Sequence, residues 1–172
     1  MKNLNIRALQ KSDCEKIHLA FVAQGWKKPA AKYYQYLEWQ NSGIRDVLLA
    51  TFAGEFAGYL IINWTSDYQS FKENGIPEIV DFNVLKKFQR RGIGTALMDE
   101  AERRIQCVSP TAGIGFGITK DYGAAQILYI KRGYIPDGRG LLLDGESLEY
   151  GKQVTISDSL VIFLTKKLDN VV

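Results

Sequence analysis

Cysteine, histidine and proline are scarce in this 172-residue chain, which holds two, one and four of them. Cys14 and Cys107 are too few for a disulfide framework and lack metal-ligand spacing, so both are expected to remain thiols. The single His18 excludes a His-pair metal site; it stands on an expected N-terminal helix whose neighbours point to packing or solvent exposure. No metal is therefore expected. No apolar run approaches the roughly 20 residues of a membrane span. Met1-Lys2-Asn3-Leu4-Asn5 also lacks the apolar core of a secretory signal, so the expectation is a cytoplasmic protein without membrane contact. A dominant charge sign is missing too: 22 Lys and Arg stand against 19 Asp and Glu, a net +3. With no long basic run, nucleic acid is not an expected partner, while an anionic small ligand is accommodated.

What the chain does have is the composition of a folded protein, 46% hydrophobic and 12% aromatic. Its length suits one domain over residues 1–172 with a sizeable core. Asn5–Leu9 reads as a first strand, followed by a helix to about Gln24 that Ser12 or Asp13 would cap and Gly25 would end. A second helix is expected over Ala31–Gln40, rich in Tyr33, Tyr34, Tyr36 and Trp39, before Asn41-Ser42-Gly43. Val47–Phe52 and Phe56–Trp64 form an expected hairpin around Ala53-Gly54-Glu55, and Asp67–Gly75 reads as a polar, mobile connection. Glu78–Leu85 is the next strand. Ile93, Ala96, Leu97, Ala101 and Ile105 then recur at helical spacing, with Asp99–Arg103 and Glu100–Arg104 pairs on the solvated face. Ile114, Phe116 and Ile118 alternate with glycines, a strand expected to allow close backbone approach or a bulge. A further helix, which Asp121 would cap and Gly133 would stop, precedes strands at Leu141–Leu143 and Leu160–Leu164. Composition and pattern alone say α/β or α+β.

Gln89-Arg90-Arg91-Gly92-Ile93-Gly94 lies between the strand Glu78–Leu85 and the amphipathic run Thr95–Ile105. A strand, a tight glycine loop and a helix start expose unpaired N–H groups where the helix dipole is positive, a fit for pyrophosphate. Gly92 and Gly94 lack a Cβ and let the main chain approach phosphate oxygens, with Arg90 and Arg91 adding charge. A P-loop is excluded because no Gly-Lys-Ser/Thr follows. A dinucleotide fingerprint is excluded because the third small residue is replaced by Leu97.

The pattern Gln/Arg-x-x-Gly-x-Gly/Ala resembles the acyl-CoA loop of the GNAT family of N-acetyltransferases. Glu78 stands eleven residues before Gln89, the offset of a general-base glutamate in histone-acetylating members. Ala125-x-x-Leu128-Tyr129-x-x-x-Gly133-Tyr134 resembles the family's segment whose first tyrosine protonates the departing thiolate. The family's frequent Asn falls on Tyr122, which puts that residue's bond to the cofactor arm in question. The resemblance is detailed from about Val47 to Tyr134. It implies a mixed, mostly antiparallel sheet of six to seven strands flanked by four helices. It further implies acetyl-CoA as acyl donor, bound at Gln89, Arg90, Arg91, Gly92, Ile93, Gly94 and Thr95. Phe82, Asn83 and Val84 are implied to pair with the pantetheine arm and to stabilise the carbonyl through backbone N–H groups.

Chemically, an amine attacks a thioester only when neutral, so a base is required, and the departing thiolate requires an acid. Glu78 is the expected base and Tyr129 the expected acid. Strand alternation places Glu78, Val80, Phe82 and Val84 on one face and Asp81 and Asn83 on the other, so Glu78 and Asp81 should not share a cleft unless a bulge intervenes. Asp81 and water stay open as alternative bases. Neither cysteine sits in a recognisable activating site, which favours direct transfer. The leading expectation is an N-acetyltransferase acting on a primary amine of a small molecule, less on a peptide or protein amine. A catalytically silent acyl-CoA-binding sensor is the alternative, and a homodimer stays open.

Overall fold

Ala53 and Gly54 both adopt positive φ, 51° and 83°, and close a two-residue hairpin between β2 (Arg45–Phe52) and β3 (Glu55–Asn63). This turn suits the right-handed twist of its strands. The computed structural model describes residues 3–168. These residues divide into two units: 3–64 with 79–104, and 65–78 with 105–168.

In the first unit β1 (Leu4–Ala8) pairs antiparallel with β2, and the order runs β1-β2-β3-β4, where β4 is Glu78–Val84. Gly58 of β3 has no room for a side chain: a Cβ there would lie 2.6 Å from the Asn83 carbonyl oxygen. Two helices precede the hairpin, α1 (Cys14–Ala23) and α2 (Ala30–Asn41). Asp13 occupies the N-cap of α1 but does not cap it through its side chain. Its carboxylate instead accepts from Arg7 at 2.6 and 2.8 Å and from the Gln10 N–H at 2.9 Å, because a part-buried guanidinium is the stronger partner. Gly25, at φ 85°, ends α1 as expected. Phe21 anchors the core of this unit, stacked on Trp26 and Tyr33 and edge-on to Tyr59.

The segment expected to be a mobile connection contains a helix, α3 (Gln69–Glu73). Its polar residues concealed two anchors, for Tyr68 and Phe71 are buried beside Leu142 and Phe163. Beyond β4, α4 covers Ile93–Gln106, two residues earlier than the expected start, with Ile93, Leu97, Met98 and Ala101 buried. Glu100 holds both Arg103 and Arg104, and Arg104 reaches Asp46 on β2 at 2.7 Å, so this face is tied to the sheet as well as solvated.

The second unit also contains β5 (Thr111–Gly117), α5 (Gly123–Lys131), β6 (Ile135–Leu143), β7 (Glu146–Ser147) and β8 (Leu160–Lys167), in the order β5-β8-β6-β7 with antiparallel pairing. Asp121 accepts from the Thr119 hydroxyl, and the N-cap position of α5 falls to Tyr122. Gly133, at φ 86°, stops α5. The described residues thus form eight strands and five α-helices, one of each more than the expected upper counts; α3 and the two-residue β7 are the additions. A β7 of two residues has no periodicity to read.

The glycines of β5 create space for aromatic rings. A Cβ on Gly113 would lie 2.3 Å from the Phe71 ring. Gly113→Ala is therefore expected to destabilise the protein by about 1–3 kcal/mol. Phe71→Ala in the same chain should reduce that penalty, which a double-mutant cycle by urea denaturation would measure. Additive penalties would show that the ring does not set the cost.

Candidate active site

After β4 the chain makes a 3-10 turn at Lys86–Phe88, and buried Phe88 pins it against Phe52. The Gln89 side-chain amide donates to the Val84 carbonyl at 3.3 Å. Arg90 and Gly92 then both adopt the left-handed conformation, at φ 59° and 75°. That is costly for Arg90, of the order of 1–3 kcal/mol for a non-glycine residue, and such strain gathers where function demands a fixed backbone. The first bond of α4 runs from the Ala96 N–H to the Gly92 carbonyl at 3.0 Å. The N–H groups of Ile93, Gly94 and Thr95 precede it and have no acceptor within the helix. Arg90 and Arg91 are exposed and, among the described residues, paired with no carboxylate. An anion of phosphate type fits these donors and charges.

Gly94 has a packing role that the sequence did not show. It lies inside α4 and is not among the positive-φ glycines. A Cβ there would meet the tip of Phe82 at 3.0 Å and Val84 at 3.7 Å, so this glycine lets the helix rest on β4.

Within β4 Asp81 has φ +45°. A left-handed residue inside a strand interrupts the pleat locally. Beyond the break, Phe82 and Val84 meet Gly94 of α4, while Asp81 and Asn83 meet α2, β3 and the segment after α1. One Asp81 oxygen accepts from the hydroxyls of Tyr36 at 2.5 Å and Tyr59 at 2.6 Å and pairs with Lys32 at 3.0 Å. The other accepts from the Asn83 amide at 2.8 Å and from Lys28 at 3.5 Å. Burial pushes the Asp81 pKa up, but the two ammonium groups and two hydroxyls prevail and hold it down at about 2. Lys28 is lowered from its ordinary value, chiefly by burial; it lies 4.8 Å from the Phe21 ring centroid and donates to the Asn83 side-chain oxygen at 3.0 Å.

In the second unit Glu78 is buried, and the Ser66 hydroxyl donates to it at 2.5 Å. The Ser66 oxygen in turn accepts from the Tyr68 N–H at 3.0 Å, which fixes the hydroxyl and through it the carboxylate. Tyr129 lies on α5, buried and 6.2 Å from the Tyr134 ring, with its pKa raised mainly by burial, so the hydroxyl stays protonated at physiological pH. Tyr122, where the family's Asn falls, lays its ring over Gly117 and directs its hydroxyl to Asp158 at 3.4 Å.

The sequence model of the acetyltransferase (GNAT) family matches residues 12–134. The chain belongs to that family. The same fold occurs in a Salmonella typhimurium acetyl transferase that modifies the N-terminal serine of ribosomal protein L7/L12, at 15% identity and a TM-score of 0.73, covering 98% of this chain and 97% of that one. An N-acetyltransferase from Staphylococcus aureus is 13% identical with a TM-score of 0.72, covering 97% and 99%. A Salmonella typhimurium protein solved with its cofactor acetyl-CoA is 18% identical with a TM-score of 0.66, covering 98% and 95%. No curated protein matches as a sequence relative.

Within this GNAT chain the residues that sequence reasoning missed are Lys28, Lys32 and Tyr59, which assemble on Asp81 together with Tyr36, one of the rings noted on the second helix. The density of tyrosines before Gly43 was the only signal. His18 uses Nδ1–H to bond the Lys28 carbonyl at 2.7 Å, which holds the segment that carries this lysine. Cys14 is buried with a raised pKa and Cys107 is exposed, and neither is in a disulfide. Among the described residues no helix is long and apolar enough to cross a membrane.

The depressed pKa of Asp81 makes stability depend on pH. Its contribution is fully present above the unfolded value near 4 and is lost as pH falls toward about 2. Denaturation at several pH values should show Asp81→Asn less stable than wild type at pH 6, with about 2 kcal/mol of that deficit vanishing between pH 4 and pH 2. Parallel pH curves for the two proteins would refute the ionised assignment.

Proposed function

We propose that this chain is an acetyl-CoA-dependent N-acetyltransferase that passes the acetyl group directly to a primary amine of a small molecule in the cytoplasm. The observation that carries this reading is the backbone of Arg90 and Gly92, two left-handed residues leading into the unsatisfied N–H groups of α4. Residues Gln89 to Thr95 hold the pyrophosphate, and the Phe82–Val84 backbone pairs with the pantetheine arm and polarises the thioester carbonyl.

Between the two carboxylates of β4, Glu78 is the better base. Asp81 already accepts from five donors and is held near pKa 2, so it has little affinity for a proton. Glu78 takes a proton from the acceptor ammonium, directly or through water, and the neutral nitrogen attacks the carbonyl carbon. When the tetrahedral intermediate collapses, the C–S bond breaks and the Tyr129 hydroxyl gives its proton to the sulfur, while the nitrogen, cationic since its attack, releases one proton that restores the hydroxyl, leaving the neutral amide and the CoA thiol. Burial raises the Tyr129 pKa, so the hydroxyl is protonated in the resting site. Cys14, buried with its thiol pKa pushed up, is unsuited to carrying the acetyl group, which supports direct transfer.

Gly92→Val puts a β-branched residue where φ is 75°, so acetyl-CoA affinity should fall about tenfold or more with the circular dichroism spectrum retained. Undiminished affinity by calorimetry would remove the loop from the donor site. Glu78→Gln cannot accept a proton, so kcat/KM should fall at neutral pH and recover as pH approaches the amine's own pKa. A pH-independent loss would count against the base role, and a rise confined to the acceptor KM would assign Glu78 to binding.

A further inference from the structure

On the first unit, α2 and the start of β2 border a groove of about 470 Å³ that the donor loop does not use. Pro29, Lys32, Gln35, Tyr36, Trp39 and Arg45 line it, and most of its surface is apolar. Trp39 is held in place by Tyr36, stacked at 5.6 Å, and by the Arg45 guanidinium 4.0 Å from its ring centroid. Two of these residues, Lys32 and Tyr36, also hold Asp81, so the groove runs into the polar cluster on β4.

The charges in that cluster do not cancel. Lys28 and Lys32 share the single carboxylate of Asp81, which leaves one positive charge in excess. Lys28 is walled by the rings of Phe21, Trp26 and Tyr59, and its side chain is 19% exposed. Lys32 is 37% exposed and lines the groove, so the excess charge is offered to a ligand there. No acidic residue lines the groove. A plain cationic amine gains nothing from such a surface, whereas an anion next to an apolar group meets a partner for each of its parts.

We propose that the acceptor amine carries a carboxylate and an apolar side group, with the side group lying along Tyr36 and Trp39 and the carboxylate facing Lys32. This rests on the N-acetyltransferase reading above and adds the class of its acceptor: amino acids with an apolar side chain, and molecules of the same pattern.

Matched pairs test it. L-Phenylalanine and phenethylamine, and L-leucine and 3-methylbutylamine, differ only in the carboxylate. With acetyl-CoA as donor and free thiol as readout, the carboxylate-bearing member should show a kcat/KM about tenfold or more higher. The difference should lie in KM, collapse in Lys32→Gln and return in Lys32→Arg. A decarboxylated partner used equally well, or a preference that survives Lys32→Gln, would overturn the proposal. Calorimetry separates this failure from failure of the broader reading. N-Acetyl-L-phenylalanine should bind the wild type and bind Lys32→Gln more weakly. Acetyl-CoA binding without any N-acetyl-L-phenylalanine binding sinks the groove assignment alone, while loss of acetyl-CoA binding sinks the donor reading.

Discussion

The left-handed backbone at Asp81 could not persist in the middle of a strand without compensation, and the compensation is the carboxylate itself. Tyr36, Tyr59, Asn83, Lys28 and Lys32 converge on its two oxygens from β3, β4, α2 and the segment before α2. Charge-assisted bonds of this kind are about twice as strong as neutral ones. They outweigh a backbone cost of the order of 1–3 kcal/mol. With Asp81 fixed, β4 presents Phe82 and Val84 to α4 and Asp81 and Asn83 to the groove side. The strand that leads into the Gln89–Thr95 loop is thereby aimed.

This arrangement divides labour between two acidic residues three positions apart. Asp81 is saturated with donors and serves the architecture. Glu78 is buried behind Ser66 with a short bond from its hydroxyl, and it is the residue proposed to exchange a proton. Identity of residue type says nothing about which is which; the ammonium groups and hydroxyls that hold the Asp81 pKa down mark it as the structural one.

Element order, the hairpin at Ala53-Gly54, the ends of α1 and α5 at Gly25 and Gly133, and the glycine loop were all legible in the sequence, because each depends on local periodicity or on glycine's freedom of φ. The helix at Gln69–Glu73 was hidden because it is five residues long and held by Tyr68 and Phe71, which pack on residues about 70 to 90 positions away. The break at Asp81 was hidden for the same reason: no feature of Glu78–Leu85 announces a positive φ, and the groups that stabilise it arrive from distant segments. The cluster around Lys28 and Lys32 is a product of tertiary structure that a tyrosine-rich stretch only hinted at. Gly94 was legible as a required glycine, but its packing against Phe82 was not, since such a contact leaves no mark in a linear motif.

That last residue makes the loop after β4 a lever. With hydrogen at Gly94 the axis of α4 sits low on β4, and its N-terminal amides are held at a height set by the Phe82 ring. Two glycines two positions apart therefore control different coordinates of one helix start: Gly92 sets the sign of a torsion, and Gly94 sets an elevation. The height of those amides is calibrated from beneath by an aromatic side chain in the adjacent strand.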